Sequence, residues 1–258
     1  MKRWLLACLL ALPWAGQAVA ASGPAYLSLI IDDLGQTPSR DSRALALPGP
    51  ITLAVMPDTP HAADFARQAH KAGKTVIVHM PMDPAGGPFA WQPGLSADQL
   101  RERLAAAFKA VPFAAGLNNH EGSRMTAQAD AMALLAEELQ QRRLFLVDSR
   151  TSAATQAAAQ AQAIGLASVS RDVFLDDVRT PEAITQQLEK AVALARKQGS
   201  AVVIGHPYPQ TLDILERALP TLKDKGVEMI SIRQMIGERG NQAMSGHGKG
   251  GIYPKGHL

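Results

Sequence analysis

The stretch SLIIDDLG (residues 28–35) ends an apolar run on two adjacent carboxylates, Asp32 and Asp33. Two like charges this close raise each other's pKa and resist being ionised together, so an unpaired Asp-Asp pair is unfavourable at the end of a buried strand. Some compensation is required, and a metal cation is one candidate.

Other residues that could bind a metal or transfer a proton follow other apolar runs of the chain. They are His79, the group Asn118, Asn119 and His120, Asp148 with Arg150 behind it, Asp176 with Asp177, and His206. In a barrel of parallel strands, the carboxyl ends of the strands form one rim, and catalytic residues come from that rim. We therefore expect these side chains to surround a common site.

Each of these residues also has a purely structural explanation. An Asp directly after a strand commonly caps a turn, a single His is commonly a satisfied core residue, and Asn tolerates left-handed loop backbone. Separate structural roles would have to place all of these side chains on one rim by coincidence. The combination favours a site, and the sequence leaves open which Asp serves it.

A mixed set of Asp and His ligands suits zinc or a similar divalent ion, which in a catalytic site keeps one position for water. Water held there can reach a pKa of about 7 and act as a nucleophile. One of the two aspartates would then bind the ion while the other acts as a base. Adjacent strand residues point to opposite faces, so this arrangement requires a bend, and Gly35 is consistent with one.

The elements that must position these residues alternate between strand and helix along the chain. Short and mostly continuous apolar runs predict parallel strands at residues 26–31, 51–56, 75–80, 114–119, 144–149, 173–177, 201–206 and 228–232. Between them, helix start signals occur at Thr59-Pro60, Ser96, Thr126, Thr180-Pro181 and Tyr208-Pro209, and stop signals occur at Gly73, Gly199 and Gly226. The pattern predicts one α/β domain, either a (β/α) barrel or a doubly wound sheet.

Two segments depart from this pattern. Residues 83–94 are rich in Gly and Pro, which predicts a long loop beside the strand that carries His79. The tail at residues 237–258 lacks apolar periodicity and is predicted to be disordered, so we exclude His247 and His257 from any site.

The N terminus has the pattern of a secretory signal peptide, with Lys2 and Arg3, a short apolar segment, and Ala-Val-Ala before Ala21. We expect cleavage after Ala20 and a periplasmic or secreted protein, since the apolar segment is shorter than the roughly 20 residues that span a bilayer. Cleavage would remove Cys8, the only cysteine, and would exclude disulfides and thiolate metal sites. The mature chain, without a transmembrane segment, is close to neutral and gives no support for nucleic-acid binding.

Six ordered motifs resemble the divergent polysaccharide deacetylase family: IIDDLG, HMPM, GLNNHEGSRMT, FLVDSRTS, RDVFLDD and IGHP. The resemblance covers nearly the whole mature chain. It implies that residues 21–236 form a distorted (β/α) barrel of about seven parallel strands. It also implies an exported metal-dependent hydrolase that removes N-acetyl groups from a polysaccharide, either peptidoglycan or a surface glycan.

The resemblance also implies a role for each site residue. Asp32 is the general base and His206 the general acid, while Asp33 and His79 bind the metal, for which zinc is expected. Better-known deacetylases have a second His four residues after the first, where this chain has Asp83, and His120 is the natural replacement as third ligand. Residues implied to orient a ligand, tune the site or contact substrate are Asn119, Asp148, Arg150, Arg171 and Asp176.

A second hypothesis is a catalytically inactive family member that binds a glycan or an envelope protein partner. It is motivated by the absence of the usual Arg-Pro-Pro-Tyr motif, which supports the oxyanion in better-known deacetylases. In either case Phe89 and Trp91 could stack on sugar rings or pack over the barrel rim.

Overall fold

The computed structural model describes residues 23–244, with side chains described as far as Gly240. The predicted signal peptide with Cys8, and the tail residues His247 and His257, lie outside these residues.

The described chain forms one parallel β-sheet that curves into an open half-barrel. Its strands are β1 (Ala25–Leu34), β2 (Thr52–Val55), β3 (Thr75–Met82), β4 (Gly116–Glu121), β5 (Phe145–Asp148), β6 (Ser168–Ser170), β7 (Val173–Phe174), β8 (Ser200–Gly205) and β9 (Val227–Met229). Their order is β6-β5-β4-β3-β2-β1-β8-β7, with β9 paired to β1. The predicted α/β fold with parallel strands is confirmed.

The described chain has eight α-helices, of which the first seven connect strands and the eighth follows β9. They are α1 (Pro38–Ala46), α2 (Ala62–Lys71), α3 (Ala97–Ala110), α4 (Ala129–Gln141), α5 (Ala157–Ala163), α6 (Pro181–Gln198), α7 (Pro209–Ala218) and α8 (Ile232–Met244). Ser96 forms a capping box with Gln99 at the start of α3, and Gly199 ends α6 with a φ of 88°. These helix signals were predicted correctly. Thr126 was not, because its hydroxyl donates to the Gly122 carbonyl and Gln128 caps α4 instead.

The strand count differs from the expected seven. The described sheet has nine strands, one more than the eight apolar runs. The strand without a matching run is β6, which the sequence pattern missed because Ser168–Ser170 is short and contains only one apolar residue. The run at 173–177 also forms only the two-residue strand β7. No pairing joins β6 to β7 in the described sheet, and Arg171 and Asp172 link them across this seam.

Alternate residues of the strands fill two apolar layers. In β1, Leu27, Leu29 and Ile31 pack in the layer that the surrounding helices cover. Ile30 faces the other way, into a smaller cluster inside the half-barrel that is closed by Ile232 of α8. Burial on both faces explains why the strand sequences are continuously apolar.

Helix α8 continues past Gly237, where we expected a disordered tail to begin. That boundary is wrong for residues 237–244, which are helical, and residues 245–258 lie outside the described chain. Met235 and Ile236 are buried inside the half-barrel, and Arg239 forms an ion pair with Asp172 at the seam. These contacts hold the helix although its sequence lacks a regular apolar stripe.

The Gly- and Pro-rich loop packs against the barrel through Trp91. This indole is fully buried, and its Nε1 donates a 3.0 Å hydrogen bond to the Leu100 carbonyl. Phe89 is partly buried against the same core. Trp91 therefore packs within the protein and has no exposed face for a sugar ring, which settles the two alternatives for this residue.

A membrane span is absent among the helices of residues 23–244, since none combines sufficient length with sufficient hydropathy.

The burial of Trp91 leads to a stability prediction. We expect Trp91→Ala to lower the free energy of unfolding by about 3–5 kcal/mol, because it leaves a large cavity under the loop. Trp91→Phe keeps most of the ring volume and loses the hydrogen bond, so we expect a loss of about 1–2 kcal/mol. Urea denaturation followed by circular dichroism measures both. Equal stability of Trp91→Ala and the unchanged protein would contradict this packing role.

Candidate functional site

A cleft of about 500 Å³ opens at the carboxyl ends of the strands. Polar residues from the ends of β1, β3, β4, β5 and β8 line it, among them Asp32, His79, His120, Arg150 and His206. The structure therefore places the residues that follow different apolar runs around one site, as parallel strands require.

The two aspartates reach this site together because β1 bends between them. Asp33 adopts a left-handed backbone with a φ of 57°, and the pairing register of β1 with β2 shifts between Ile31 and Leu34. Gly35 follows with a φ of 100°, and a Cβ there would lie 2.3 Å from the Thr59 hydroxyl. Asp41 holds the turn, since its Oδ2 accepts hydrogen bonds from the Gly35 and Thr37 amides, each 3.1 Å long. The bend predicted from Gly35 is present.

Three of the candidate ligand atoms form a compact triangle. Asp33 Oδ1 lies 3.3 Å from His79 Nε2 and 3.1 Å from His120 Nδ1, and the two nitrogens lie 3.1 Å apart. A tetrahedral ion such as zinc, with donors about 2.0–2.1 Å away, needs them to lie about 3.3–3.4 Å from one another. The triangle matches one face of that tetrahedron within a few tenths of an ångström.

The protonation of His79 follows from its neighbour Asn118. The Asn118 amide nitrogen donates to Asp32 Oδ1 over 2.9 Å, so its oxygen must be the atom that lies 2.8 Å from His79 Nδ1. His79 therefore carries its proton on Nδ1, and in the neutral ring Nε2 directs a lone pair at the triangle. Asp33 Oδ1 is buried and accepts no well-oriented hydrogen bond in the described residues. Electron-rich atoms without a proton between them are a site for a cation.

Without a metal, the same charges control the pKa of each group. Burial opposes the charged form of His79, but the carboxylates of Asp32 and Asp33 outweigh it and raise its pKa to about 9. Burial raises the pKa of Asp33, but the adjacent His120 and His79 imidazoles outweigh it, and the net pKa lies well below the usual value. The pKa of Asp32 is raised by burial, against the opposing effects of His79 and His206. The two adjacent aspartates thus differ in proton affinity.

His206 is held by a buried carboxylate on the other side of the cleft. Asp176 accepts a 2.9 Å hydrogen bond from His206 Nδ1, and its second oxygen accepts from the His206 amide and the Thr211 hydroxyl. His206 Nε2 consequently faces the triangle, 3.8 Å from Asp33 Oδ2. Burial lowers the pKa of His206, but the hydrogen bond and charge of Asp176 outweigh it, and the net pKa is raised.

The remaining predicted residues have distinct positions. Asp148 contacts no histidine; it accepts from the Arg150 amide and the Thr155 hydroxyl, so it caps the turn after β5. Asn119 is also a turn residue, because its side chain bonds the Glu121 carbonyl and the Ser149 amide. Arg150 and Arg171 line the cleft.

Sequence reasoning placed Asn118 on the rim but gave it no role, and it did not select Ser149 for the site. Asn118 is fully buried and joins three site groups: its amide nitrogen donates to Asp32 and, over 3.2 Å, to Ser149 Oγ, while its oxygen accepts from His79. The one available signal was its position beside Asn119, at the end of an apolar run. The alternation of side chains along β4 puts Asn118 and not Asn119 on the face of Asp32 and His79.

Comparison with known proteins identifies the family. The family model described as divergent polysaccharide deacetylase matches residues 29–236. The chain belongs to this family. Among related proteins, the uncharacterized protein YibQ of Escherichia coli (strain K12) is 38% identical over 200 residues, which are 76% of this chain and 63% of YibQ. The chain thus spans less than two thirds of YibQ. An uncharacterized protein of Haemophilus influenzae is 36% identical over 202 residues, 77% of this chain and 72% of that protein.

Solved structures share the fold at low sequence identity. The uncharacterized protein ATU2773 from Agrobacterium tumefaciens C58 superposes with a TM-score of 0.79 at 20% identity, over 86% of this chain and 92% of that one. A family 4 carbohydrate esterase from Streptomyces lividans in complex with acetate has a TM-score of 0.53 at 19% identity, over 81% and 94%. A family 4 pseudoenzyme from Bacillus anthracis, BA3943, has a TM-score of 0.54 at 14% identity, over 83% and 66%. The fold thus occurs in an esterase and in a pseudoenzyme.

The ligand triangle leads to a metal-binding prediction. We expect the purified protein to bind one equivalent of zinc, and Asp33→Ala or His120→Ala to weaken that binding by more than about a hundredfold, since even supporting partners of a ligand contribute ten- to a hundredfold. Asn118→Ala should weaken it by about tenfold to a hundredfold, because His79 loses its orienting partner. Equilibrium dialysis with metal analysis measures the affinity.

His70→Ala provides the matched control. His70 lies in the last turn of α2, away from the cleft, and stacks on Phe113. Unchanged zinc binding in Asp33→Ala and His120→Ala would show that the triangle does not hold the ion.

Proposed function

We propose that this divergent polysaccharide deacetylase is an exported, metal-dependent hydrolase that removes N-acetyl groups from a cell-wall or surface glycan. The observation that carries the proposal is the proximity of Asp32 and His206 to the triangle of ligand atoms. Asp32 Oδ2 lies 3.6 Å from His79 Nε2, and His206 Nε2 lies 3.8 Å from Asp33 Oδ2. Amide hydrolysis needs a base for water and an acid for the leaving amine, and these two residues are positioned for those tasks.

Asp33, His79 and His120 would hold a divalent ion, and zinc is the ion that best suits two imidazoles and one carboxylate. When bound there, the ion would polarise the acetamide carbonyl and make water more acidic. Asp33 and His120 are about one-third and one-quarter exposed, whereas the His79 side chain is 2% exposed. The open side of the triangle faces the cleft, where an N-acetyl group could approach.

Asp32 serves as the general base. Its Oδ1 accepts from Asn118, which fixes the orientation of the carboxylate, and Oδ2 lies 3.6 Å from His79 Nε2. Burial raises the pKa of Asp32, and a higher pKa makes this carboxylate a better proton acceptor. Asp33, whose pKa is far lower, is the poorer base and the better anionic ligand.

His206 serves as the general acid. The Asp176 carboxylate stabilises the imidazolium, so a proton can reside on Nε2, which faces the site. The net increase in the pKa of His206 favours its protonated form, which can transfer a proton to the leaving amine.

The second candidate function is glycan binding without catalysis. One observation favours it: Asp83, where better-known deacetylases have a second histidine, forms an ion pair with Arg124 through two hydrogen bonds of 2.6 and 3.0 Å. The pseudoenzyme with the same fold supports this alternative at the level of fold only.

An acetate-release assay separates the two functions. We expect the zinc-loaded protein to release acetate from N-acetylated peptidoglycan or chito-oligosaccharides, and Asp32→Asn or His206→Gln to lower kcat by about 10²–10⁴-fold, the usual contribution of a general base or acid. Zinc binding should persist in both variants, because neither residue belongs to the triangle.

Asp58→Asn is the control for this assay, because Asp58 is exposed and outside the cleft. Glycan binding that persists after metal removal, with no acetate released by the native protein under varied metals, would support the non-catalytic alternative. Loss of zinc in Asp32→Asn would instead show that the proposed division of labour between the aspartates is wrong.

Export is a separate part of the proposal. In a Gram-negative host, we expect the protein in the periplasmic fraction, with an N terminus that begins at Ala21. Leu9→Arg combined with Leu10→Arg should keep the uncleaved chain in the cytoplasm, because the apolar segment of the leader is interrupted. Cell fractionation with mass spectrometry measures both. Uncleaved native chain in the cytoplasm would contradict the proposed export.

A further inference from the structure

Two arginines of the cleft, Arg150 and Arg171, form no ion pair with an acidic residue of the described chain. The arginine ion pairs in residues 23–240 involve Arg43, Arg67, Arg101, Arg124, Arg142 and Arg239, and neither Arg150 nor Arg171 is among them. Arg171 is half-buried and uses its guanidinium to bond the Ser149 and Arg150 carbonyls at 2.6 and 2.9 Å. Burial lowers its pKa, because its positive charge has lost part of its water. A desolvated cation beside a second cation favours an anionic ligand.

Arg150 also has an unusual backbone conformation. Its φ of 49° lies in the left-handed region, where glycine is the favoured residue and a long side chain is strained. Strained residues that persist in a structure concentrate at functional sites. The turn does not explain why an arginine occupies this position, because its hydrogen bonds use only the Arg150 amide and carbonyl. The Arg150 side chain therefore requires another explanation.

The acidic residues in or near the cleft form no ion pair with Arg150 or Arg171 within the described residues. Asp32 is bonded by Asn118, and Asp148 is bonded by the Arg150 amide and the Thr155 hydroxyl. Glu121 and Asp177 line the same cleft and are exposed to solvent. The charges of Asp32, Asp148 and Asp177 influence Arg171 from a distance, without an ion pair.

Arg171 lies close to the proposed acid. Its guanidinium carbon is 4.9 Å from the centre of the Phe174 ring, and that ring meets the His206 ring edge-on at 5.5 Å. If the amine of the deacetylated sugar points toward His206, the sugar ring can lie against Phe174. The other substituents of that ring would then face Arg171. The guanidinium groups of arginine match the two oxygens of a carboxylate.

We propose that Arg150 and Arg171 bind a carboxylate of the glycan, so that the substrate is an acidic N-acetylated sugar and not a neutral one. This inference rests on the proposed function for the identity of the site. The carboxylate would belong to the sugar that carries the N-acetyl group or to its immediate neighbour, because the arginines and the ligand triangle share one cleft.

Binding to two matched sugars tests the inference without turnover. The probes are the disaccharide of N-acetylglucosamine and N-acetylmuramic acid, and the same disaccharide with its carboxylate reduced to an alcohol. In a zinc-loaded Asp32→Asn protein, we expect calorimetry to give an affinity for the acid about tenfold to a hundredfold higher than for the alcohol, as for a hydrogen bond between charged groups. Arg150→Gly should bring this ratio close to one and leave the affinity for the alcohol unchanged.

Arg150→Gly also separates function from structure. Glycine relieves the left-handed strain and keeps the backbone hydrogen bonds of the turn, so the melting temperature should stay equal or rise. Arg143→Gly is the matched control, because Arg143 is also an exposed arginine with a positive φ, of 57°. Arg143 precedes β5, whereas Arg150 follows β5 at the end where the cleft lies. It should leave the ratio of affinities unchanged.

Equal affinity of the Asp32→Asn protein for the two sugars, including no measurable binding of either, would overturn the inference. A preference for the acid that survives in Arg150→Gly would overturn it as well. Because binding is measured without acetate release, these results are independent of the assay for deacetylation. If the protein releases acetate but binds both sugars equally, the proposed function stands and this inference is wrong.

Discussion

The placement of two carboxylates next to each other at the end of a buried strand is the constraint on which the site depends. Two aspartates at the end of β1 repel each other, and the structure resolves this with a left-handed backbone at Asp33. The bend turns the second carboxylate toward two histidines while the first remains buried beside Asn118. One neighbour becomes a strongly acidic carboxyl group and the other a carboxyl group of raised pKa. The difference arises from the surroundings alone, because the two residues are chemically identical.

The buried hydrogen bonds around the cleft determine what each histidine can do. His79 and His206 each have Nδ1 tied to a buried partner, Asn118 in one case and Asp176 in the other. A neutral amide oxygen fixes the tautomer of His79 and leaves Nε2 as a donor atom for an ion. A carboxylate stabilises the positive charge of His206, which suits the proposed task of proton donor. The two histidines occupy similar rim positions, and the residue behind each one sets its chemistry.

The rim could be predicted from the sequence, whereas the partners behind it could not. Apolar runs that end on Asp or His locate the strands and their carboxyl ends, since burial on both faces makes such runs stand out. The sequence could not decide whether Asp148 or Asp176 supports a histidine, because that depends on strand order and side-chain rotamers. The same holds for Asn118, whose contact with Asp32 joins residues 86 positions apart. The polar strand β6 was missed for a related reason: tertiary contacts overrode its local sequence signal.

The incomplete closure of the barrel explains why cations face the cleft. At the seam between β6 and β7, Arg171 and Asp172 replace strand pairing: the Arg171 amide donates to the Asp148 carbonyl of β5, and the Asp172 amide donates to the Val202 carbonyl of β8. The link therefore continues the β5–β6 ladder on one side of the seam and the β7–β8 ladder on the other. Asp172 receives Arg239 of α8, which neutralises its charge, while Arg171 is left without an acidic partner at the cleft. The seam thus carries Arg171, which lines the cleft together with Arg150.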